Sequence, residues 1–122
     1  MNSDANSESE ILAAHAFLCS LCGTQAATIQ LLPGRVVVES FVCRSESRFP
    51  PSDEERLRAA VTDGDVGSLY AWDSECAPLF CPRCAACYCG DHWKHWDVLE
   101  DDGWFDCVRG ICPQGHERML VD

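Results

Sequence analysis

The sequence predicts a small α+β domain stabilised by zinc, and three observations carry that prediction. Four ligand pairs stand on short turns: Cys19-x2-Cys22, Cys81-x2-Cys84, Cys89-x2-His92 and Cys112-x3-His116. Eight soft or borderline ligands in four pairs fill two closed tetrahedral zinc sites with none left over. Two β-rich runs flank Pro33-Gly34, the mark of a β-hairpin, and residues 52–73 carry helical signals. A chain of 122 residues with 47% hydrophobic content suffices for one compact domain, close to the usual size of about 100–150 residues.

Taken in order, residues 1–10 (MNSDANSESE) form an acidic, polar tail expected to be disordered, with residues 11–122 making a single two-zinc domain. The tail has no basic n-region, and the apolar stretch Ile11–Leu18 is far short of the roughly 20 residues that span a bilayer. A soluble, cytoplasmic protein is therefore expected, and in a reducing compartment such cysteine turns are zinc ligands more often than disulfides. Ile11, Leu12, Phe17, Leu18 and Leu21 suit a short helix or ordered lead-in capped by Ser7 or Ser9. Gly23 closes the first knuckle, since glycine tolerates the left-handed turn such loops demand.

The hairpin then runs through residues 27–32 and 35–42, and residues 43–51 read as a polar turn. Ser52-Asp-Glu-Glu offers a capping-box start to a helix with Leu57, Ala60 and Val61 on one face, stopping at Asp63-Gly64. A second helix over residues 65–72 completes a helical insertion at about 52–73. After the central knuckles come an acidic loop at Glu100-Asp-Asp-Gly, a strand over 104–111, the turn CPQGH and a last strand over 117–121.

Nine Lys and Arg against 20 Asp and Glu leave a formal charge of −11. Two zinc ions with six thiolates would take it to roughly −13. The basic residues are scattered, so the surface lacks the patch that neutralises phosphates. This argues against nucleic acid and anionic membrane surfaces and favours a basic protein partner.

In the run Cys81-x2-Cys84-x4-Cys89-x2-His92, neighbouring pairs only four residues apart cannot easily fold back onto one ion. The run resembles the centre of FYVE-type fingers, and more closely the AN-one-type zinc fingers, whose matching segment ends in an aromatic-Cys-x2-His like Tyr88-Cys89-Gly90-Asp91-His92. With LYAWDSECAPLFCPRC upstream and WFDCVRGICPQGHERML downstream, the pattern also looks like small bacterial zinc-binding proteins. The resemblance implies a treble-clef, cross-brace arrangement. Cys19, Cys22, Cys89 and His92 would hold one zinc, and Cys81, Cys84, Cys112 and His116 the other. In those fingers the first two pairs lie much closer together than Cys22 and Cys81 do, and no helices intervene. A ribbon alternative stays open, with Cys19, Cys22, Cys81 and Cys84 on one ion and Cys89, His92, Cys112 and His116 on the second.

Cys43, Cys76, Cys87 and Cys107 fall outside both schemes and are expected to be buried, inert thiols. Cys81, Cys84 and Cys87 begin an iron–sulfur spacing, but the fourth Cys followed by Pro is missing. His95 and His15 are expected to pack rather than ligate. Cys19-Ser-Leu-Cys22 lacks the βαβ setting of a redox dithiol, and no H-x-E completes a zinc deaminase signature. Trp93, Trp96, Trp104 and Phe105 are flanked by Asp97, Glu100, Asp101, Asp102 and Asp106. They read either as packing over the metal sites or as a partner surface built on Trp93, Trp96, Asp101, Asp102 and Trp104. Fully ligated zinc has no open position, and no nucleophile–base set stands elsewhere. The expected function is thus non-catalytic: a protein-interaction or adaptor module, with an inhibitor or immunity-like role toward a basic partner as its specific form. The alternative is an enzyme, or a metal-handling or redox protein, using an incomplete zinc site or a reactive Cys87.

Overall fold

The computed structural model describes residues 10–121. The expected acidic tail, residues 1–10, lies outside the described residues except for Glu10, which is exposed. The first element is strand β1 (Ala13–Leu18), a correction to the helix or lead-in expected there. Ala13, His15 and Phe17 are covered while Ala14, Ala16 and Leu18 are exposed, a period of two rather than 3.6. Pairing decides the matter. Ala13 lies opposite Leu31 and Phe17 opposite Ala27 on β2 (Gln25–Leu32), a ladder worth more than a short helix that would have to nucleate alone.

From β2 the chain turns through Pro33-Gly34 into β3 (Arg35–Ser40), with Gly34 at φ 79° supplying the left-handed turn residue. Residues 44–48, expected as a turn, form β4 and complete an antiparallel sheet in the order β1-β2-β3-β4. The segment Arg44-Ser-Glu-Ser-Arg48 has no apolar face to announce a strand. Its charged side chains suit an edge strand, which must discourage pairing with other chains. Arg35 and Arg44 both meet Glu46 there, at 3.2 and 3.3 Å.

Helix α1 (Glu54–Asp63) buries Leu57, Ala60 and Val61 and packs on β1 and β2. It is entered by a single 3-10 turn, Pro51–Asp53, without the expected Ser52 side-chain cap. Asp53 instead accepts hydrogen bonds from Arg56 (2.9 Å) and the Trp72 indole (3.3 Å). Gly64, at φ 68°, ends the helix. Asp65 then caps α2 (Val66–Trp72) by accepting from the Ser68 N–H at 3.2 Å.

Beyond the helices, β5 (Phe80–Cys81) and β6 (Ala86–Cys87) form a minimal hairpin. A second antiparallel sheet follows, β7 (Lys94–Leu99), β8 (Phe105–Ile111) and β9 (Glu117–Val121). One core joins the parts, running from Ile29 and Val38 through Val61, Leu69 and Leu79 to Trp93 and Leu120. Arg118 clasps β9 to the approach of the second knuckle, donating to the carbonyls of Ala77 (2.9 Å) and Phe80 (2.6 Å) while lying over the Tyr70 ring. Among the described residues no helix is long and apolar enough to cross a membrane.

Candidate metal centres

Each knuckle is shaped by its own backbone. At the first, Cys19 donates to the Thr24 carbonyl (2.8 Å) and Gly23 to the Cys19 carbonyl (2.9 Å), with Gly23 at φ 76°. At the second, Ala85 takes the same position after the knuckle at φ 53°. The third tightens through the His92 and Trp93 N–H groups, both donating to the Cys89 carbonyl (2.9 and 3.1 Å). At the fourth, Cys112 donates to the His116 carbonyl and Gly115 to the Cys112 carbonyl, each at 2.9 Å.

The fold brings the knuckles together in alternation. Cys19, Cys22, Cys89 and His92 gather in one group and Cys81, Cys84, Cys112 and His116 in another, their ligand atoms within 4.8 Å of one another. The ribbon grouping, with Cys19 and Cys22 beside Cys81 and Cys84, is not the one formed. The first knuckle docks onto β6, where the Ser20 N–H donates to the Cys87 carbonyl at 2.8 Å, two residues before Cys89.

Within the first centre, Cys22 Sγ lies 3.7 Å from Cys89 Sγ, and His92 Nδ1 lies 3.4 and 3.3 Å from the Cys19 and Cys89 sulfurs. Within the second, Cys84 and Cys112 are 3.7 Å apart, and His116 Nδ1 lies 3.5, 3.3 and 3.5 Å from Cys81, Cys84 and Cys112. Disulfide sulfurs would stand about 2.05 Å apart. A tetrahedral ion with metal–sulfur bonds of about 2.3 Å and metal–nitrogen bonds of about 2.0–2.1 Å has edges of roughly 3.8 and 3.6 Å. These separations are close to those edges, so each cluster of three sulfurs and one imidazole is spaced as a tetrahedral ion requires.

The electrostatics of the two centres match. Burial pushes the Cys19 thiol up, but backbone N–H groups of Cys89, Cys22 and Leu21 outweigh it and hold the pKa at about 6. Leu21 N–H donates to Cys19 Sγ at 3.4 Å. Cys112 is the counterpart: burial again raises it, and the N–H groups of His116 and Gln114, at 3.4 and 3.3 Å from its sulfur, bring it below the ordinary thiol value. Cys81 goes the other way, to about 11, burial foremost. Backbone N–H groups thus lower one thiol in each centre, Cys19 and Cys112, and a bound cation would let three thiolates share so small a space.

Sequence reasoning missed Tyr88. Its side chain hydrogen-bonds the Cys84 sulfur, which with burial raises the tyrosine pKa, although its own backbone adjoins Cys89 of the other centre. Its aromatic-before-Cys position was visible, but nothing in the spacing says that the side chain serves the opposite centre. Cys22 is the exposed residue of the first centre, while its companions are buried or half-buried.

The remaining candidates fall into place by burial. Cys76, Cys87 and Cys107 are buried and Cys43 half-buried, and burial raises Cys76 to about 12 and Cys87 to about 11. Cys87 joins neither group, so the three-cysteine iron–sulfur spacing is not gathered at one point. His95 packs against Phe41, with ring centroids 5.2 Å apart, and His15 against Phe17 at 4.9 Å. Trp93 corrects an expectation: it is 3% exposed, donates its indole N–H to the Leu79 carbonyl (3.2 Å) and meets Tyr88 edge-on, so it belongs to the core rather than a partner surface. Trp96 and Trp104 are 39% and 71% exposed, and Asp101 and Asp102 lie on the exposed loop between β7 and β8.

Fold and centres together define a small domain of mixed sheet and helix carrying two interleaved Cys3His clusters able to hold metal ions. The chain belongs to the family described as Domain of unknown function (DUF8328), which matches residues 9–122. No curated protein and no solved structure matches it.

Proposed function

We propose that the protein is a non-catalytic protein-interaction module whose fold rests on two structural zinc ions in a cross-brace of treble-clef type. The observation that carries this reading is the pair of Cys3His clusters. Four protein ligands close a zinc site and leave no position for water or substrate, whereas catalytic zinc keeps one open. Three sulfurs and one imidazole match the soft donor set of structural zinc, and such thiols persist in a reducing cytoplasm. A formal charge of −11 favours a basic partner, and an inhibitor or immunity-like role toward such a partner is the specific form we favour.

Elemental analysis of protein purified without added metal should find two zinc ions per chain, one for each cluster. Cobalt substitution should give tetrahedral d–d bands with sulfur-to-cobalt charge transfer. One zinc per chain, or iron with visible absorbance, would sink the reading.

The exposure of Cys22 favours a second reading, in which the first centre handles labile metal or responds to oxidants. Chelator competition separates the two: equal release from both centres supports structural zinc, and rapid loss from the first alone supports the second reading.

A further inference from the structure

Among the described residues, five of the eight exposed large hydrophobic side chains belong to the second sheet or its hairpin loop, although that sheet is a minor part of the chain. Three cluster at the β7–β8 tip, where Leu99, Trp104 and Phe105 are 59%, 71% and 51% exposed. Strand β7 makes its main contacts with β8.

The tip is also held in shape. Glu100 N–H donates to the Trp104 carbonyl (2.7 Å), Gly103 N–H to the Glu100 carbonyl (2.8 Å) and Trp104 N–H to the Asp102 carboxylate (3.1 Å). Gly103 supplies the turn at φ 90°. A large apolar side chain presented on an ordered loop loses little further freedom on binding, the condition under which tryptophan becomes an anchor. Around it stand Asp97, Glu100, Asp101, Asp102 and Asp106, all exposed. The basic side chains on β7 and β8 are Lys94 and Arg109, both toward the other end of the hairpin, and Arg109 is bound to Glu117 at 2.6 Å.

We propose that this tip is the docking surface for a basic segment of a partner protein that offers an apolar pocket or side chain to Trp104 and Phe105. The proposal rests on the protein-interaction reading above and names its surface and partner chemistry. Charge selects among the possible occupants. A second copy would face one acidic rim with another on chains of −11 each. Residues 1–9 carry Asp4 and Glu8 and offer Met1 as their one large apolar side chain. Anionic lipid headgroups would be repelled by the same carboxylates.

The test uses the zinc-loaded full chain and a random display library of short peptides, with recovered sequences resynthesised and titrated. Recovered peptides should be rich in Lys and Arg around an apolar anchor. Trp104→Ala should weaken them by about tenfold or more with zinc content unchanged. D101K with D102K should act mainly on the association rate, and added salt should slow association of the wild type. Peptides that bind equally well to Trp104→Ala would sink the docking site while leaving the module reading standing. If no peptide is recovered, both fail. Binding to phosphatidylcholine–phosphatidylserine vesicles, or concentration-dependent dimerisation, abolished by Trp104→Ala would overturn the proposed partner.

Discussion

Ala85 sits in the left-handed region at φ 53°, the one non-glycine residue at positive φ among the described residues. It follows the second knuckle as Gly23 follows the first, and an L-residue there gives up about 1–2 kcal/mol that glycine does not. Glycine's greater freedom in the unfolded chain takes back about 0.5–1 kcal/mol. Ala85 is exposed, so its methyl has little packing to lose. Ala85→Gly should therefore stabilise the protein by up to about 1 kcal/mol in urea denaturation, and a loss of stability would contradict the strain argument. Cys76 makes a second prediction at this scale. Burial, with Asp73 and Glu75 nearby, raises its pKa from 9.0 to about 12. Below pH 9 folded and unfolded chains both hold the proton. As pH rises from about 9 to about 12 the unfolded chain releases it first, so stability falls over that window. The alkaline slope should flatten in Cys76→Ala. Denaturant midpoints across that range check the point.

At the scale of elements, the second sheet depends on the closeness of β8 and β9 to Trp93. A Cβ added at Gly110 would stand 2.7 Å from Leu120 Cδ1 and 3.2 Å from Trp93 Cε3. Gly110→Ala should cost about 1–3 kcal/mol by overpacking. Thermal melting should record the loss, and amide exchange should place it in β7–β9 rather than in β1–β4. The elements legible from the sequence were those with a local signal: the Pro33-Gly34 hairpin, the Leu57, Ala60, Val61 face of α1, the Asp65 start of α2 and the last two strands, β8 and β9. Strands β1, β4 and β7 lack one. The first reads as an apolar run of either period, the second is polar throughout, and the third mixes Lys94, His95, Trp96 and Asp97. Each is a strand because a neighbour already offers a ladder.

For the molecule as a whole, alternation of the knuckles means that no part of the chain owns a metal centre. The first centre ties the start of the first sheet to the turn before β7, and the second ties β5 to the β8–β9 turn. Structural zinc contributes apparent free energies of about 10–16 kcal/mol in finger peptides, as much as the whole stability of about 5–15 kcal/mol of an ordinary domain. Cys84→Ser should therefore unfold the domain rather than loosen it locally, with loss of near-ultraviolet circular dichroism across the chain. Cys43→Ser, outside both clusters and half-buried, should shift stability by about 1 kcal/mol or less. Similar losses from the two substitutions would mean that the second centre does not hold the fold.

The sequence alone picked out the eight residues that gather in the two clusters, because Cys-x2-Cys, Cys-x2-His and Cys-x3-His place donors on one turn whatever the rest of the chain does. It also determined the sign of the surface, which follows from counting charges. Which knuckles share a centre was open to the cross-brace and the ribbon alike, and the grouping that forms brings together residues far apart in the chain. The tryptophans were divided in the same way. Trp93, Trp96 and Trp104 look alike in sequence, yet only the approach of Leu79, Tyr88 and Gly110 buries the first, and only the turn of residues 100–104 holds the last in solvent. Local spacing sets what a turn can hold, whereas burial depends on contacts that exist only once distant segments have met.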